Sequence, residues 1–218
     1  MNVSNQLEVY VGTTVESGKL QYDFLRDLGM RKDDFVLEIG HGALHASRYV
    51  IDFLEEGHFS GIDPNDWLWL ESSKKDDQLR RILDEKKPIF LQNLEFDAKE
   101  LGIKFQFVLS HSVLSHAAHW QLPLFLLNAS ACLAPGGLIL ASLRLSEGNS
   151  YGSDGFQNSE DSMSEQWVYP GNSYFSKSSI QAESKKLGLS IQFREDFTKR
   201  LTDFRSSEFH DWVVFTKN

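Results

Sequence analysis

The chain has 218 residues and a formal charge of −9, from 31 acidic against 22 basic side chains, and 41% of its residues are hydrophobic. That length and apolar content suit a single domain, residues 1–218, with a sizeable interior. The negative charge opposes docking on phosphate backbones or anionic lipid, so neither nucleic acid nor a membrane surface is expected as a partner. The basic pairs Lys74-Lys75, Arg80-Arg81 and Lys86-Lys87 alternate with Asp76, Asp77, Asp84 and Glu85, which marks a solvated helix face. The single cysteine, Cys132, has no internal disulfide partner and lies in an apolar run that reads as the buried end of a helix. No basic stretch followed by an apolar core opens the sequence, and no apolar run approaches the length of about 20 needed to cross a bilayer. A cytoplasmic protein is therefore the expectation.

From Phe35 onward, short apolar β-rich runs alternate with amphipathic stretches, the pattern of βαβ units around a parallel sheet. Phe35–Ile39 is the first strand. A helix over about Leu44–Glu55 follows, with Leu44, Tyr49, Val50, Phe53 and Leu54 facing inward and Gly57 as its stop. Phe59–Ile62 is the second strand, ended by Asp63-Pro64 because proline cannot continue a central strand. A charged helical region over about Asp66–Lys86 leads to a third strand, Pro88–Leu91, and the large residues Phe105–Leu109 form a buried fourth. A helix over about Trp120–Leu133 is expected to break at Pro135-Gly136-Gly137, ahead of a fifth strand, Leu138–Leu143. Ser146–Ser173 has no period and reads as a loop or insertion, with a lid over about 146–175. A helix over Lys177–Leu187 and two antiparallel strands, about Ser190–Phe197 and Phe209–Thr216, close the chain. The fold class is thus a three-layer α/β sandwich, Rossmann-like, around a mostly parallel seven-stranded sheet with a C-terminal antiparallel strand.

A glycine loop between a strand and a helix lets backbone N–H groups approach a bulky polar ligand. Here it is Gly40-His41-Gly42-Ala43-Leu44, with Glu38 just before it in the strand and Asp63 at the end of the next strand. An acid at Asp63 can accept hydrogen bonds from both hydroxyls of an adenosine ribose, which fits NAD and S-adenosylmethionine equally. Glu38 discriminates between them: a carboxylate beside the first glycine suits the cationic amino-acid end of S-adenosylmethionine and repels a pyrophosphate. A dinucleotide fold also favours a glycine where this chain has His45.

Val36-Leu37-Glu38-Ile39-Gly40-His41-Gly42 resembles the first motif of the class I S-adenosylmethionine-dependent methyltransferases. Gly61-Ile62-Asp63, the run Phe105–His111 and Leu133-Ala134-Pro135-Gly136-Gly137 resemble later motifs of that family in the same order. A narrower likeness, to bacterial members with Leu-Arg in place of the third glycine, extends to Ser112–His116, Tyr169–Ser176 and Trp212–Phe215. The resemblance implies S-adenosylmethionine as cofactor and a binding site formed by Glu38, Gly40, His41, Gly42, Asp63, Asn93 and Ser110, with Asn93 at the adenine amino group ahead of Glu95. The chain departs from the family at Leu44, His41 and Gln106, where a third glycine, a cysteine and an aspartate are common.

His111, His116 and His119 follow the fourth strand, at the carboxyl edge of the sheet where open α/β folds bind ligands. Neutral imidazole can take a proton from an acceptor hydroxyl, which makes His116 and His111 the candidate catalytic residues. Their spacing does not match a helical zinc motif and no carboxylate ends the fourth strand, so no metal is expected. Tyr151, Phe156, Trp167, Tyr169, Tyr174 and Phe175 could close over a small-molecule acceptor or pack on the sheet edge. Trp67 and Trp69 could frame adenosine or pack their helix. The expected function is methyl transfer to an oxygen or nitrogen of a small molecule. A non-catalytic S-adenosylmethionine-binding or scaffold protein is the alternative, and a NAD-dependent oxidoreductase the more distant one.

Overall fold

The computed structural model describes residues 15–152, 163–164, 167, 171–204 and 210–217. In chain order, helix α1 (Val15–Asp27) precedes strand β1 (Val36–Ile39), helix α2 (Ser47–Phe53), strand β2 (Phe59–Ile62), helices α3 (Trp67–Lys75) and α4 (Asp77–Lys86) and strand β3 (Ile89–Leu91). Strand β4 (Phe105–Ser110), helix α5 (Gln121–Ala131) and strand β5 (Leu133–Leu143) follow, then the short strands β6 (Leu145–Ser146), β7 (Ser150–Gly152), β8 (Met163–Ser164) and β9 (Ser173–Ser176). Helix α6 (Lys177–Lys186), strand β10 (Leu189–Phe193), helix α7 (Glu195–Phe204) and strand β11 (Asp211–Lys217) complete the chain.

The main sheet has seven strands in the order β10-β11-β5-β4-β1-β2-β3. Pairing is parallel from β5 through β3, while β11 runs antiparallel to both β5 and β10. Strand order reverses between β1 and β4: the chain winds outward through β2 and β3, returns to β4, and continues to the other edge. Connections leave that point in opposite directions, opening a crevice at the carboxyl ends of β1 and β4. The loops after those two strands carry Gly40-His41-Gly42 and His111, so topology alone brings them together.

Side chains alternate between two cores, as the pleat requires. Leu37, Ile39, Val108, Ile139, Val213 and Phe215 face the layer that contains Phe125 of α5 and Ile180 of α6. Val36, Phe107, Leu109, Leu140, Trp212 and Val214 face Phe24 of α1, Val50 and Ile51 of α2 and Phe197 of α7. Phe24 stacks on Phe197 with ring centroids 4.1 Å apart and meets the edge of Trp212 at 5.2 Å. Arg194 and Arg200 cover these rings, Arg194 at 3.7 Å from the Phe197 centroid.

Several elements differ from expectation. Helix α1 has no counterpart in the sequence reading, although Leu20, Phe24 and Leu25 recur at helical spacing. The charged region splits into α3 and α4 because Asp76 turns extended and caps α4, accepting from the Leu79 N–H at 3.0 Å. Strand β5 begins at Leu133, ahead of Pro135-Gly136-Gly137, which form an irregularity within the strand where its register on β4 shifts. A helix, α7, forms from Glu195 onward, where the strand expected over about Ser190–Phe197 was to continue, and the flanking strands still pair antiparallel. The segment expected to be structureless contributes a second sheet, β6-β9-β7-β8. Phe156 and Tyr169 lie outside the described residues.

Because Phe24 joins α1 to α7 and to the sheet, Phe24→Ala is expected to cost roughly 3–5 kcal/mol. Urea unfolding checks this: the midpoint falls with an unchanged denaturant slope.

Candidate functional site

A cavity of about 560 Å³ opens at the reversal point, within the size range of small-ligand sites. Glu38, Gly40, His41, Gly42, Asp63, Asn93, His111 and His116 all contribute to its wall. Ser110 does not: it is fully buried within β4, and its hydroxyl has no hydrogen-bond partner.

The loop after β1 is shaped by backbone that turns left-handed at Gly40 (φ 80°), Gly42 (φ 50°) and Leu44 (φ 62°). At Gly40 a Cβ would lie 2.1 Å from Val113 Cγ2, so the loop after β4 closes directly onto it. Leu44 keeps the left-handed backbone that glycine adopts readily, and its fully buried side chain packs in the interior. Its neighbour His45 is approached by α1, because Gly18 places its Cα where any Cβ would meet the His45 carbonyl oxygen at 2.2 Å. That contact brings Gln21 of α1, 3% exposed, into the cavity wall. Gln21 is one of the wall residues that sequence reasoning missed; helical spacing over Leu20–Leu25 could have found its helix, but nothing in the pattern points to its contact with the loop.

Two carboxylates meet this loop. Glu38 is enclosed, and its Oε2 accepts from the Ser47 hydroxyl at 2.7 Å. Burial, reinforced by the nearby Asp63, pushes its carboxyl up to about 7 despite the Ser47 hydrogen bond. Asp63 Oδ2 accepts from the Gly42 N–H at 3.0 Å and Oδ1 from the Asn65 N–H at 2.8 Å. A carboxylate has about four acceptor positions, so two remain for a ligand. His41 lies over β2, where a Cβ on Gly61 would come 2.6 Å from its Cδ2, and its ring tilts against Phe90 at 4.9 Å. Burial holds its pKa below the ordinary imidazole range, while Asp63 opposes that shift.

After β3, Asn93 folds its own loop: Oδ1 accepts from the N–H groups of Glu95 and Asp97, and Nδ2 donates to the Asp97 carbonyl. This side chain sets the course of the loop, so Leu94 and the left-handed Phe96 reach the cavity wall. Glu95, the second choice for an adenine contact, is absent from that wall. Leu68 lines the cavity in place of Trp67 and Trp69, and Trp69 stacks on Phe90 at 4.7 Å. Gln106 sits at the opposite end of β4, where its Oε1 accepts from the Phe35 N–H at 2.7 Å, so this departure from the family pattern lies away from the cavity.

The three histidines have different surroundings. His111 Nδ1 lies 2.8 Å from Ser142 Oγ, which also accepts from the Ser112 N–H at 2.9 Å. A serine hydroxyl has one donor and two acceptor positions, so with the Ser112 N–H on one of them it can either donate to His111 Nδ1 or accept from it. Burial, with a smaller effect from His116, lowers its pKa to about 4, so it is neutral at pH 7. Burial thus makes His111 a weaker base than the sequence alone suggests. His116 Nδ1 lies 2.9 Å from the Gly171 carbonyl, which can only accept, so the basic lone pair is on Nε2. Burial lowers its pKa as well. His119 turns away from the cavity: its ring stacks on Tyr151 at 4.0 Å, and Nε2 donates to the Tyr174 carbonyl at 3.0 Å. Tyr151 and Phe175 are buried, whereas Trp167 lines the cavity and donates from Nε1 to the His116 carbonyl at 3.1 Å.

Among the described residues no group of three His, Cys, Asp or Glu side chains could hold a metal ion, and no helix is long and apolar enough to cross a membrane. Cys132 is enclosed at the end of α5, where burial pushes its thiol up to about 11 and leaves it unreactive at neutral pH.

No protein-family model and no curated protein matches the sequence. Solved structures do match in fold. An S-adenosylmethionine-dependent methyltransferase from Clostridium acetobutylicum aligns with a TM-score of 0.67 at 11% identity, covering 99% of this chain and 98% of that one. Magnesium protoporphyrin IX methyltransferase from Synechocystis, with S-adenosylmethionine bound, gives 0.61 at 13% identity, covering 97% of this chain and 82% of that one. The glycopeptide N-methyltransferase MtfA, complexed with S-adenosylmethionine, gives 0.60 at 11% identity over 92% and 93% of the two chains. Strand order, the glycine loop after β1 and these likenesses agree: the chain has the fold of the class I S-adenosylmethionine-dependent methyltransferases.

Proposed function

We propose that this chain transfers the methyl group of S-adenosylmethionine to an oxygen or nitrogen of a small-molecule acceptor. The observation that carries this reading is the pair of carboxylates, Glu38 and Asp63, meeting one left-handed glycine loop at one end of a single cavity. When bound, S-adenosylmethionine supplies a methyl group already activated on a sulfonium, which departs as a neutral thioether.

The chain's residues fit that cofactor. Glu38 is a buried carboxyl whose ionisation a nearby cation favours, and the ammonium of an amino acid provides one. Gly40, His41 and Gly42 bring backbone close to the ligand, and Asp63 has acceptor positions left for two ribose hydroxyls. Asn93 acts by shaping the loop that places Leu94 beside the adenine. Ser110, behind the wall, has no role in this reading. His116 Nε2 takes the proton of an acceptor hydroxyl or amine, and Trp167, from the segment 146–175, forms a lid that helps to exclude water. Catalysis comes mainly from holding the reacting atoms in line.

Calorimetry with S-adenosylmethionine and S-adenosylhomocysteine is the first test, followed by a labelled-methyl assay across acceptor pools. Binding of both ligands is expected, and Asp63→Asn should weaken it by about tenfold or more. Binding without transfer to any pool would favour the non-catalytic alternative, and binding of NAD instead would favour the oxidoreductase. Absence of binding to either sulfur ligand at millimolar concentration overturns the reading.

The shifted carboxyl generates a pH prediction. Folded Glu38 keeps its proton up to about 7, whereas an ordinary glutamate releases it near 4.5, so its contribution to stability falls as pH rises through that window. His111, lowered to about 4, is neutral in the folded state while the unfolded chain still binds a proton, so its contribution rises with pH between about 4 and 6.5. The two partly cancel, and Glu38→Gln separates them. From about pH 5 to about pH 8 the thermal midpoint of the wild type should decline relative to that of Glu38→Gln. Near pH 6 the wild type should release protons on binding S-adenosylhomocysteine, measured in buffers of different ionisation enthalpy, and Glu38→Gln should not.

A further inference from the structure

Helix α1 brings to the cavity a polar side chain that the protein itself does not satisfy. Gln21 is 3% exposed and lines the wall, yet its amide makes no hydrogen bond among the described residues. Its amide atoms are not sealed in, as the hydroxyl of Ser110 is, so the little surface that Gln21 keeps opens on the cavity. Gly18, one turn earlier on α1, fixes where that amide stands. A Cβ at Gly18 would meet the His45 carbonyl oxygen at 2.2 Å and the Ala46 nitrogen at 2.7 Å, just ahead of α2. The next residue, Ser47, donates to Glu38. Gln21 therefore belongs to the Glu38 side of the cavity, whereas His111 and His116 enter from the loop after β4.

We propose, resting on the methyl-transfer reading above, that Gln21 determines specificity for the amino-acid end of the methyl donor, its Nε2 donating to the ligand carboxylate while Glu38 holds the ammonium. An amino-acid end carries two opposite charges, and a glutamate answers one of them. Among the described residues no lysine or arginine lines the cavity, so the ligand carboxylate has no cation to pair with. Three N–H groups of the glycine loop are already committed: Gly40 donates to the Ile62 carbonyl at 2.7 Å, Gly42 to Asp63 and Leu44 to the His41 carbonyl at 3.0 Å. Glu38 and Asp63 both meet this loop, so a third carboxylate placed beside it requires a donor of its own. A primary amide offers two N–H donors, and with no partner in the protein it can turn Nε2 toward the ligand. An amide also suits the position better than a cation. A guanidinium on this side would favour ionised Glu38 by itself and compete with the ligand's ammonium, whereas a neutral donor leaves that pairing to the ligand.

The test is calorimetric titration of the full chain with S-adenosylhomocysteine and with its decarboxylated analogue, which keeps the ammonium, the ribose and the adenine. The wild type should bind S-adenosylhomocysteine about tenfold or more tightly than the analogue. Gln21→Leu should remove this preference by weakening S-adenosylhomocysteine alone and leaving the affinity for the analogue unchanged. Gln21→Met, unbranched and of similar length, carries the same expectation and replaces Gln21→Leu if that variant does not fold. Equal affinities in the wild type overturn the proposal, and so does a preference that survives the substitution. Equal weakening of both ligands overturns it too, because that is the result of a packing role for Gln21. Failure of the wild type to bind either ligand at millimolar concentration would instead overturn the methyl-transfer reading.

Discussion

An enclosed carboxylate at the end of a parallel strand constrains everything packed around it. Moving an isolated ionised carboxyl out of water costs far more than one hydroxyl hydrogen bond returns. Glu38 answers this by holding its proton until about pH 7, with Ser47 at the start of α2 as its partner. Near neutral pH the ligand-free carboxyl is therefore about half protonated, and a cation brought into the same enclosure favours its ionised form. That single requirement ties β1, the glycine loop and α2 together, while Gly18 lets α1 press its backbone against the far side of the loop. Burial creates the preference for a cation; the glycines provide room to act on it.

Backbone strain follows the same outline. Of the non-glycine residues with positive φ, Leu44, Phe96 and Ser112 lie on the loops after β1, β3 and β4, all bordering the cavity, while Lys87 ends a helix. Left-handed backbone costs a side chain of this kind about 1–3 kcal/mol and persists where neighbours hold it. Leu44 and Phe96 are held by burial, and Ser112 by the bond from its N–H to Ser142. The departure from the family pattern at Leu44 thus leaves the loop's shape intact, and the backbone that a glycine would supply is enforced by packing.

Much of the fold is legible in the sequence because a parallel sheet demands short apolar runs between helical stretches, and each such run from Val36 to Leu143 is a strand. The errors arise where local pattern and tertiary context disagree. Pro135-Gly136-Gly137 reads as a break, yet β5 passes through it because β4 offers partners on both sides of the irregularity. Glu195–Phe204 contains Phe197 and Leu201 at helical spacing, but an apolar run just before it masks the change of period. The site divides in the same way. Positions along the chain locate Glu38, Asp63, His111 and His116 at one sheet edge. Their hydrogen bonds are not legible: the partners of His116 and His119 are carbonyls 55 residues later, and the tautomer of His111 depends on a serine in the next strand.

Those partners change what the histidines can do. An imidazole lowered to about 4 makes a poor base at neutral pH, so His111 is a weak candidate for proton transfer. His116 has its basic nitrogen in the right tautomer, although burial weakens it too. A reaction with a strongly activated methyl donor tolerates weak bases, because the barrier left to the protein is mostly one of alignment and water exclusion. A cavity with two carboxylates beside one glycine loop is suited to alignment, since it fixes the ammonium and ribose of the methyl donor on one side. In the proposed reaction, alignment of the methyl donor contributes what a strong general base would contribute elsewhere.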